Sequence, residues 1–363
     1  MFKLLNLFNK LFPKKKNRIV LYSNLGFRDN VKAIYDYLVD KNLQEKYEIV
    51  CVSNDFYSEK KITGVKYISP VVGVFFFLTS KYFFYCFGKY PIKPSKSQIV
   101  VNLWHGMPLK KIGNMEHQNQ NKDYNFFSYI IASSDFFVDY MMKGFNASKE
   151  QVIVAGNPRN DDFFRIDSNL KNEKVVVWMP TFRDGGDVQN GSSTLIFKMS
   201  TDEWRQLDLF LSKINYKLDL KLHPLETTRI DTNFIVKLKN ISLLDDSMLS
   251  SRNISLYQYL ATTVALITDY SSVFLDYLLL NKPVAFVHDD YSAYKENRGF
   301  IDNNIENLFV GEKIFNFSDL VSFFDKLSNE FDDYKIHREK LNEVVNYYKI
   351  DFSKIILEKV GIL

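Results

Sequence analysis

What most constrains this chain is an alternation. From Arg18 onward, short runs rich in β-branched and aromatic residues (RIVLYS, YEIVCVS, VKYIS, KYFFYCF, QIVVNLW) take turns with amphipathic stretches such as NVKAIYDYLVDK. Strands that alternate with helical segments pair in parallel through crossover helices, so an α/β fold is expected. A second series follows: VVVWMP, a helix over TDEWRQLDLFLSKI, then YKLDLKL, VALITDY, a helix over SVFLDYLLL, and PVAFVH. At 363 residues the chain exceeds one usual core, and each series suffices for one doubly wound domain. Polar DSNLKNEK reads as the linker between them. The expected division is an amphipathic segment over 1–17, a Rossmann-like domain over 18–165, a second over 166–345, and a terminal helix over 346–363 that crosses back to the first. Two such domains face a central cleft, and ligands bind there at the carboxyl ends of strands.

Composition narrows the function classes. A formal charge of +4, with no basic stripe, argues against nucleic acid. Cys51 and Cys86 sit in apolar strand-like runs, as buried free thiols would, which favours a reducing compartment and the cytoplasm. No segment reaches the roughly 20 apolar residues that span a bilayer. VVGVFFFLTSKYFFYCF reads as a buried helix followed by a strand. At the start, Met1, Leu4, Leu5, Phe8, Leu11 and Phe12 share one helical face, with Lys14 to Lys16 and Arg18 just after it. Such a helix lies in a membrane surface beside anionic headgroups, and the alternative is a terminal helix docked on its own domain.

The chemistry-bearing residues follow strands. QIVVNLW ends in Trp104-His105-Gly106, with Lys110 and Lys111 close behind. A histidine there can take a proton from a hydroxyl while cations steady phosphate oxygens. VVVWMP runs into Thr181-Phe182-Arg183, where Arg183 can fork onto a phosphate, and YKLDLKL ends at His223-Pro224. VALITDY leads into Ser271 and Ser272 at a helix start, whose unpaired amides and hydroxyls suit a phosphate. Asp269 competes with an anion there unless it turns away to hold the loop or a ligand hydroxyl, and Asp276 lies on the same helix. Each feature alone is a common structural device; together they converge on a diphosphate. There is no GxxxxGK[ST] loop and no HExxH or CxxC spacing. The adjacent pairs Asp245-Asp246 and Asp289-Asp290 point to opposite faces if extended, so no metal ligands are assigned.

The ordered motifs WHGMPLKKIG, GNPRND, PTFRDG, LKLHP, TDYSSVFLDYLLLNKPVAF and Arg298-Gly299-Phe300 resemble the CDP-glycerol glycerophosphotransferase family, the teichoic-acid primases and polymerases, over about residues 98–302. The resemblance implies a GT-B-like fold, association with the cytoplasmic membrane surface, and transfer of glycerol phosphate from CDP-glycerol to an acceptor hydroxyl with release of CMP. By motif, His105 and His223 look like the two essential histidines. Ser271 and Ser272 look like donor-phosphate ligands, with Arg183, Asp269 and Asp276 at the donor site, and Gly106, Lys110, Asn157, Arg159 and Arg298 support the cleft. The acceptor would be lipid-linked or polymeric. No tightly bound cofactor is expected, although Mg²⁺ could travel with the diphosphate. Relatives that use CDP-ribitol share these motifs. Two rivals are a GT-B glycosyltransferase using a nucleotide sugar and a membrane-bound nucleotide-binding scaffold. Oligomeric state has no signature here.

Overall fold

Two parallel sheets carry the chain. The computed structural model describes residues 2–24, 26–54, 61–165, 173–181, 195–223, 226 and 230–363. Contacts divide it into one unit of 1–107, 112–161 and 344–363, and a second of 108–111 and 162–343.

In the first unit β1 (Lys15–Tyr22), β2 (Glu48–Val52), β3 (Val65–Ile68), β4 (Ser80–Tyr85), β5 (Ile99–Asn102), β6 (Tyr129–Ala132) and β7 (Val152–Val154) form a sheet in the order β3-β2-β1-β4-β5-β6-β7. All its pairings are parallel. The strand order reverses between β1 and β4, a topological switch point, and ligands of open α/β sheets bind at the carboxyl side of that point. Crossovers include α2 (Asp29–Asp40), α3 (Pro70–Thr79) and α4 (Asp135–Phe145). Ile19, Leu21, Ile34, Leu38, Ile49, Phe84 and Val101 build the core, and Ile356, Leu357 and Ile362 of the C-terminal segment join it. Tyr47 and Tyr82 donate to the carbonyls of Ile362 (2.9 Å) and Gly361 (3.0 Å), which fastens the chain end to this unit.

The second unit repeats the plan. β8 (Val175–Met179), β9 (Lys217–Leu220), β10 (Ile241–Leu243), β11 (Ala265–Thr268), β12 (Val284–Val287) and β13 (Glu312–Ile314) run β10-β9-β8-β11-β12-β13, reversing between β8 and β11. Every residue of β11 and β12 is buried, as expected of strands covered on both faces. Trp178, Trp204, Leu207, Leu211 and Ile267 are among its core residues.

The N-terminal region departs from expectation. A helix does follow β3, yet α3 is not buried: Val71 is 84% and Phe75 54% exposed. Its inner side touches β2 so closely that a Cβ at Gly73 would lie 2.4 Å from Val52 Cγ1. Helix α1 (Phe2–Leu11) is inverted relative to an ordinary surface helix. Asn9 is fully buried, donating to Lys93 O (2.9 Å) and Gln98 Oε1 (2.6 Å), while Leu7, Phe8, Leu11 and Phe12 face outward. Lys14 Nζ donates to Asn9 O at 2.7 Å and to the Leu78 carbonyl of α3, tying the two helices together. Among the described residues no helix is long and apolar enough to cross a membrane.

Candidate active site

His105 follows β5, three residues beyond its buried carboxyl end, on the same edge as the first switch point. The chain reaches it through an unusual backbone: Trp104 has φ +48° and Gly106 φ +120°. The first is rare for a bulky side chain, and the second is open mainly to glycine. This double reversal turns the half-buried imidazole against Phe87 (ring centroids 5.4 Å, 16° between planes) and against Trp104 (4.0 Å).

Polar groups hold the turn from behind. Asn30 donates to Leu103 O (2.9 Å) and Trp104 O (3.2 Å), Arg159 Nη1 donates to His105 O (3.0 Å), and Trp104 N donates to Asn102 Oδ1 (2.9 Å). The same guanidinium pairs with Asp29 at 3.0 Å. Asn157 is fully buried three residues after β7, and nearby Asp161 accepts from the amides of Phe352 (2.8 Å) and Ser353 (2.9 Å). The GNPRND segment therefore braces this edge from within. Its arginine bonds a carbonyl and a carboxylate, so Arg159 supports the His105 turn. Cys86, one residue past β4, is a buried free thiol whose pKa burial pushes well up.

On the second unit, Asp269 and Thr181 meet at the ends of β11 and β8, at the second switch point. Asp269 is 1% exposed and accepts from Thr181 N (2.8 Å), from the Thr181 hydroxyl and from Tyr270 N (2.6 Å). Asp276 is equally buried and accepts from Tyr257 OH at 2.7 Å. Both carboxylates thus hold protein groups in this structure. Asp269 takes the course of turning away from the helix start. Ser271 and Ser272 are half-buried, and among the described residues the amides of Ser271, Ser272 and Val273 have no hydrogen-bond partner. The helix behind them is shorter than expected, Val273–Tyr277, continuing as a 3₁₀ turn over Leu278–Leu280. Open amides and hydroxyls therefore matter more there than a helix dipole.

Tyr270 anchors this turn and is fully buried. Its ring stacks on Tyr294 (4.1 Å) and His288 (5.4 Å), and its hydroxyl donates to Asp290 at 2.8 Å. Burial, reinforced by Lys313, lowers the His288 pKa to about 3, so that imidazole is neutral near pH 7. Lys110 pairs with Phe300 in an antiparallel bridge and lies 5.8 Å over Tyr294, so it and Arg298 gather beside the same cluster. His223 is exposed just after β9, on the edge shared with Asp269. Arg183 lies outside the described residues.

Sequence reasoning missed Asp29, Asn30 and Asn102 behind His105, and His288 and Asp290 around Tyr270. The position of His288 directly after an apolar strand was the one available signal. Among the described residues no group of three or more His, Cys, Asp or Glu side chains is gathered to hold a metal ion.

Comparison with known proteins bears on this arrangement. A teichoic acid poly(ribitol-phosphate) polymerase of Bacillus spizizenii is 27% identical over 380 residues, covering 97% of this chain and 56% of its own length. A teichoic acid glycerol-phosphate primase of Bacillus subtilis is 27% identical, covering 68% of each. This chain thus spans little more than half of the first relative. The solved structure of the wall teichoic acid polymerase TagF superposes with a TM-score of 0.77 at 20% identity, covering 98% of this chain and 91% of that one, and shows that the fold is GT-B-like. The family model described as CDP-glycerol:poly(glycerophosphate) glycerophosphotransferase matches residues 4–352, and the chain belongs to that family.

Proposed function

We propose that this protein transfers glycerol phosphate from CDP-glycerol to a hydroxyl of a lipid-linked or polymeric acceptor and releases CMP. The observation that carries the reading is His105: a half-buried imidazole on a strained, heavily braced turn at the ligand-binding edge of a sheet, in a chain of this family. Strain kept in a turn of this kind is a mark of functional sites.

His105 takes the proton as the acceptor oxygen attacks the glycerol-bearing phosphorus. A new P–O bond forms to the acceptor, the P–O bond to CMP breaks, and CMP leaves with the electron pair. The Ser271–Ser272 turn, Arg183 and His223 bind the diphosphate and stabilise charge moving onto the leaving group. Asp269 and Asp276 keep that turn in shape. The B. spizizenii match, named for ribitol phosphate, supports CDP-ribitol as the second candidate donor.

The outward apolar faces of α1 and α3 are the surface by which the protein lies on the membrane, at the cytoplasmic face where a CDP-linked donor is available. The arrangement supports this because the inner face of α1 is bonded through Asn9 and Lys14, leaving Leu7, Leu11, Val71 and Phe75 without a protein cover among the described residues. Substitution suits the test better than deletion, since removing 2–16 would strip the Lys14 clamp and the start of β1. Leu11→Glu with Phe75→Glu should abolish sedimentation with anionic vesicles and leave the fold intact.

The reaction itself is tested by incubating the protein with CDP-glycerol, CDP-ribitol and nucleotide sugars over lipid-linked acceptors. CMP release with CDP-glycerol is the expected result. A released nucleoside diphosphate would replace this reading with a glycosyltransferase, and donor binding without release would replace it with a scaffold.

A further inference from the structure

We infer that Asn30 is a positioning residue for the reaction, setting the orientation of the His105 imidazole through the backbone of residues 103–105; this rests on His105 acting as the base. Asn30 is the second residue of α2, directly after Asp29 at φ +61°, and is fully buried. Its amide group is used at both ends. Nδ2 donates to the carbonyls of Leu103 (2.9 Å) and Trp104 (3.2 Å), and Oδ1 accepts from the Arg159 amide (3.1 Å). Arg159 then donates to the next carbonyl, that of His105, at 3.0 Å. Three successive carbonyls are thereby fixed by side chains from two distant segments of the chain.

This pattern differs from ordinary loop anchoring. An asparagine that only closed the fold would satisfy one neighbour or cap its own helix. Here every hydrogen bond of the Asn30 side chain goes either to the turn or to the arginine that holds the turn. Apolar packing limits where a peptide sits but leaves its rotation soft, whereas directional bonds to consecutive carbonyls set the rotation of each plane. With Trp104 at φ +48°, a change in any of these planes swings the ring that follows. A misplacement of about 1 Å can cost roughly a hundredfold in rate. No spacing in the sequence joins positions 30, 103 and 159.

The test uses Asn30→Asp, which keeps size and the acceptor but turns a carboxylate oxygen toward two carbonyls, and Arg159→Lys, which keeps charge but replaces the rigid planar group whose Nη1 serves both Asp29 and His105 O. Turnover, KM for CDP-glycerol and the NMR titration of each of the five histidines are measured on the full chain. Asn30→Asp should lower kcat by about ten- to a hundredfold with KM nearly unchanged. The His105 signal, assigned by its loss in His105→Ala, should titrate at a displaced midpoint while the other four histidines stay unmoved. Wild-type kcat together with an unmoved His105 signal would overturn the proposal. Should Asn30→Asp disturb all five signals, Arg159→Lys decides on the same two readouts. If His105→Ala retained turnover, the base assignment would fall instead, and a displaced His105 titration would still show that Asn30 positions the ring.

Discussion

The two candidate edges are held by different means. The His105 turn in the first unit rests on directional bonds from Asn30, Arg159 and Asn102 to its backbone, and it carries a left-handed tryptophan. The Ser271 turn in the second unit rests chiefly on packing, with Tyr270 inside a cluster of Tyr294, His288, Phe300 and Phe309 and bonded to the buried carboxylates of Asp269 and Asp290. The difference matches the tasks proposed for them. A single proton acceptor must be aimed, which calls for bonds of fixed direction. An anion cradle must keep several amides uncovered, which calls for a firm floor and little else.

Three substitutions would break or sharpen this contrast. The largest effect is expected from Tyr270→Ala, which removes the ring at the centre of the cluster and should destabilise the second unit by about 3–5 kcal/mol. Hydrogen exchange should show loss of protection along β11 and β12 with β1 and β4 unaffected; equal loss in both units would contradict the separation. Next comes Asp269→Asn, which keeps one acceptor oxygen but removes the charge and places an N–H donor where Oδ2 now accepts from Thr181 N at 3.0 Å, at a cost of about 1.5–3 kcal/mol. Denaturant unfolding measures that loss, and donor affinity should fall with it because the turn loosens. Smallest is a pH effect at His288. Its folded pKa of about 3 lies below the unfolded value of 6.5, so the unfolded state binds the extra proton between them. The contribution is complete above pH 6.5 and is lost as pH falls toward 3. Stability should drop by about 2 kcal/mol from pH 7 to about pH 5 through this group alone, and His288→Phe should remove that slope.

Much of the architecture was legible because parallel strands buried on both faces announce themselves as short apolar runs; IVVN, VVVWM and ALIT all fell where strands were expected. His105 and Ser271 were legible for the same reason, since residues just past such strands lie at the ligand-binding edge. Other features had no local signal. Asn30 meets Trp104 across 74 positions, and nothing in the spacing of either announces it. Periodicity placed Phe8, Leu11 and Phe12 on one face and left out Leu7, which is also exposed, and it could not reveal that Asn9 would turn inward and those residues outward. The apolar run of α3 looked like core because hydrophobicity alone does not say whether a partner exists to cover it. Asp269 was open to two orientations, and only the position of Thr181 across the switch point decided between them.

The central claim is that His105 serves the chemical step and the second unit holds the donor. It is tested most directly by measuring CDP-glycerol affinity and CMP release for His105→Ala beside the unsubstituted protein. Donor affinity should stay nearly unchanged while release falls by roughly a hundred- to ten-thousandfold, the range of a lost general base. Release at the unsubstituted rate would contradict the account.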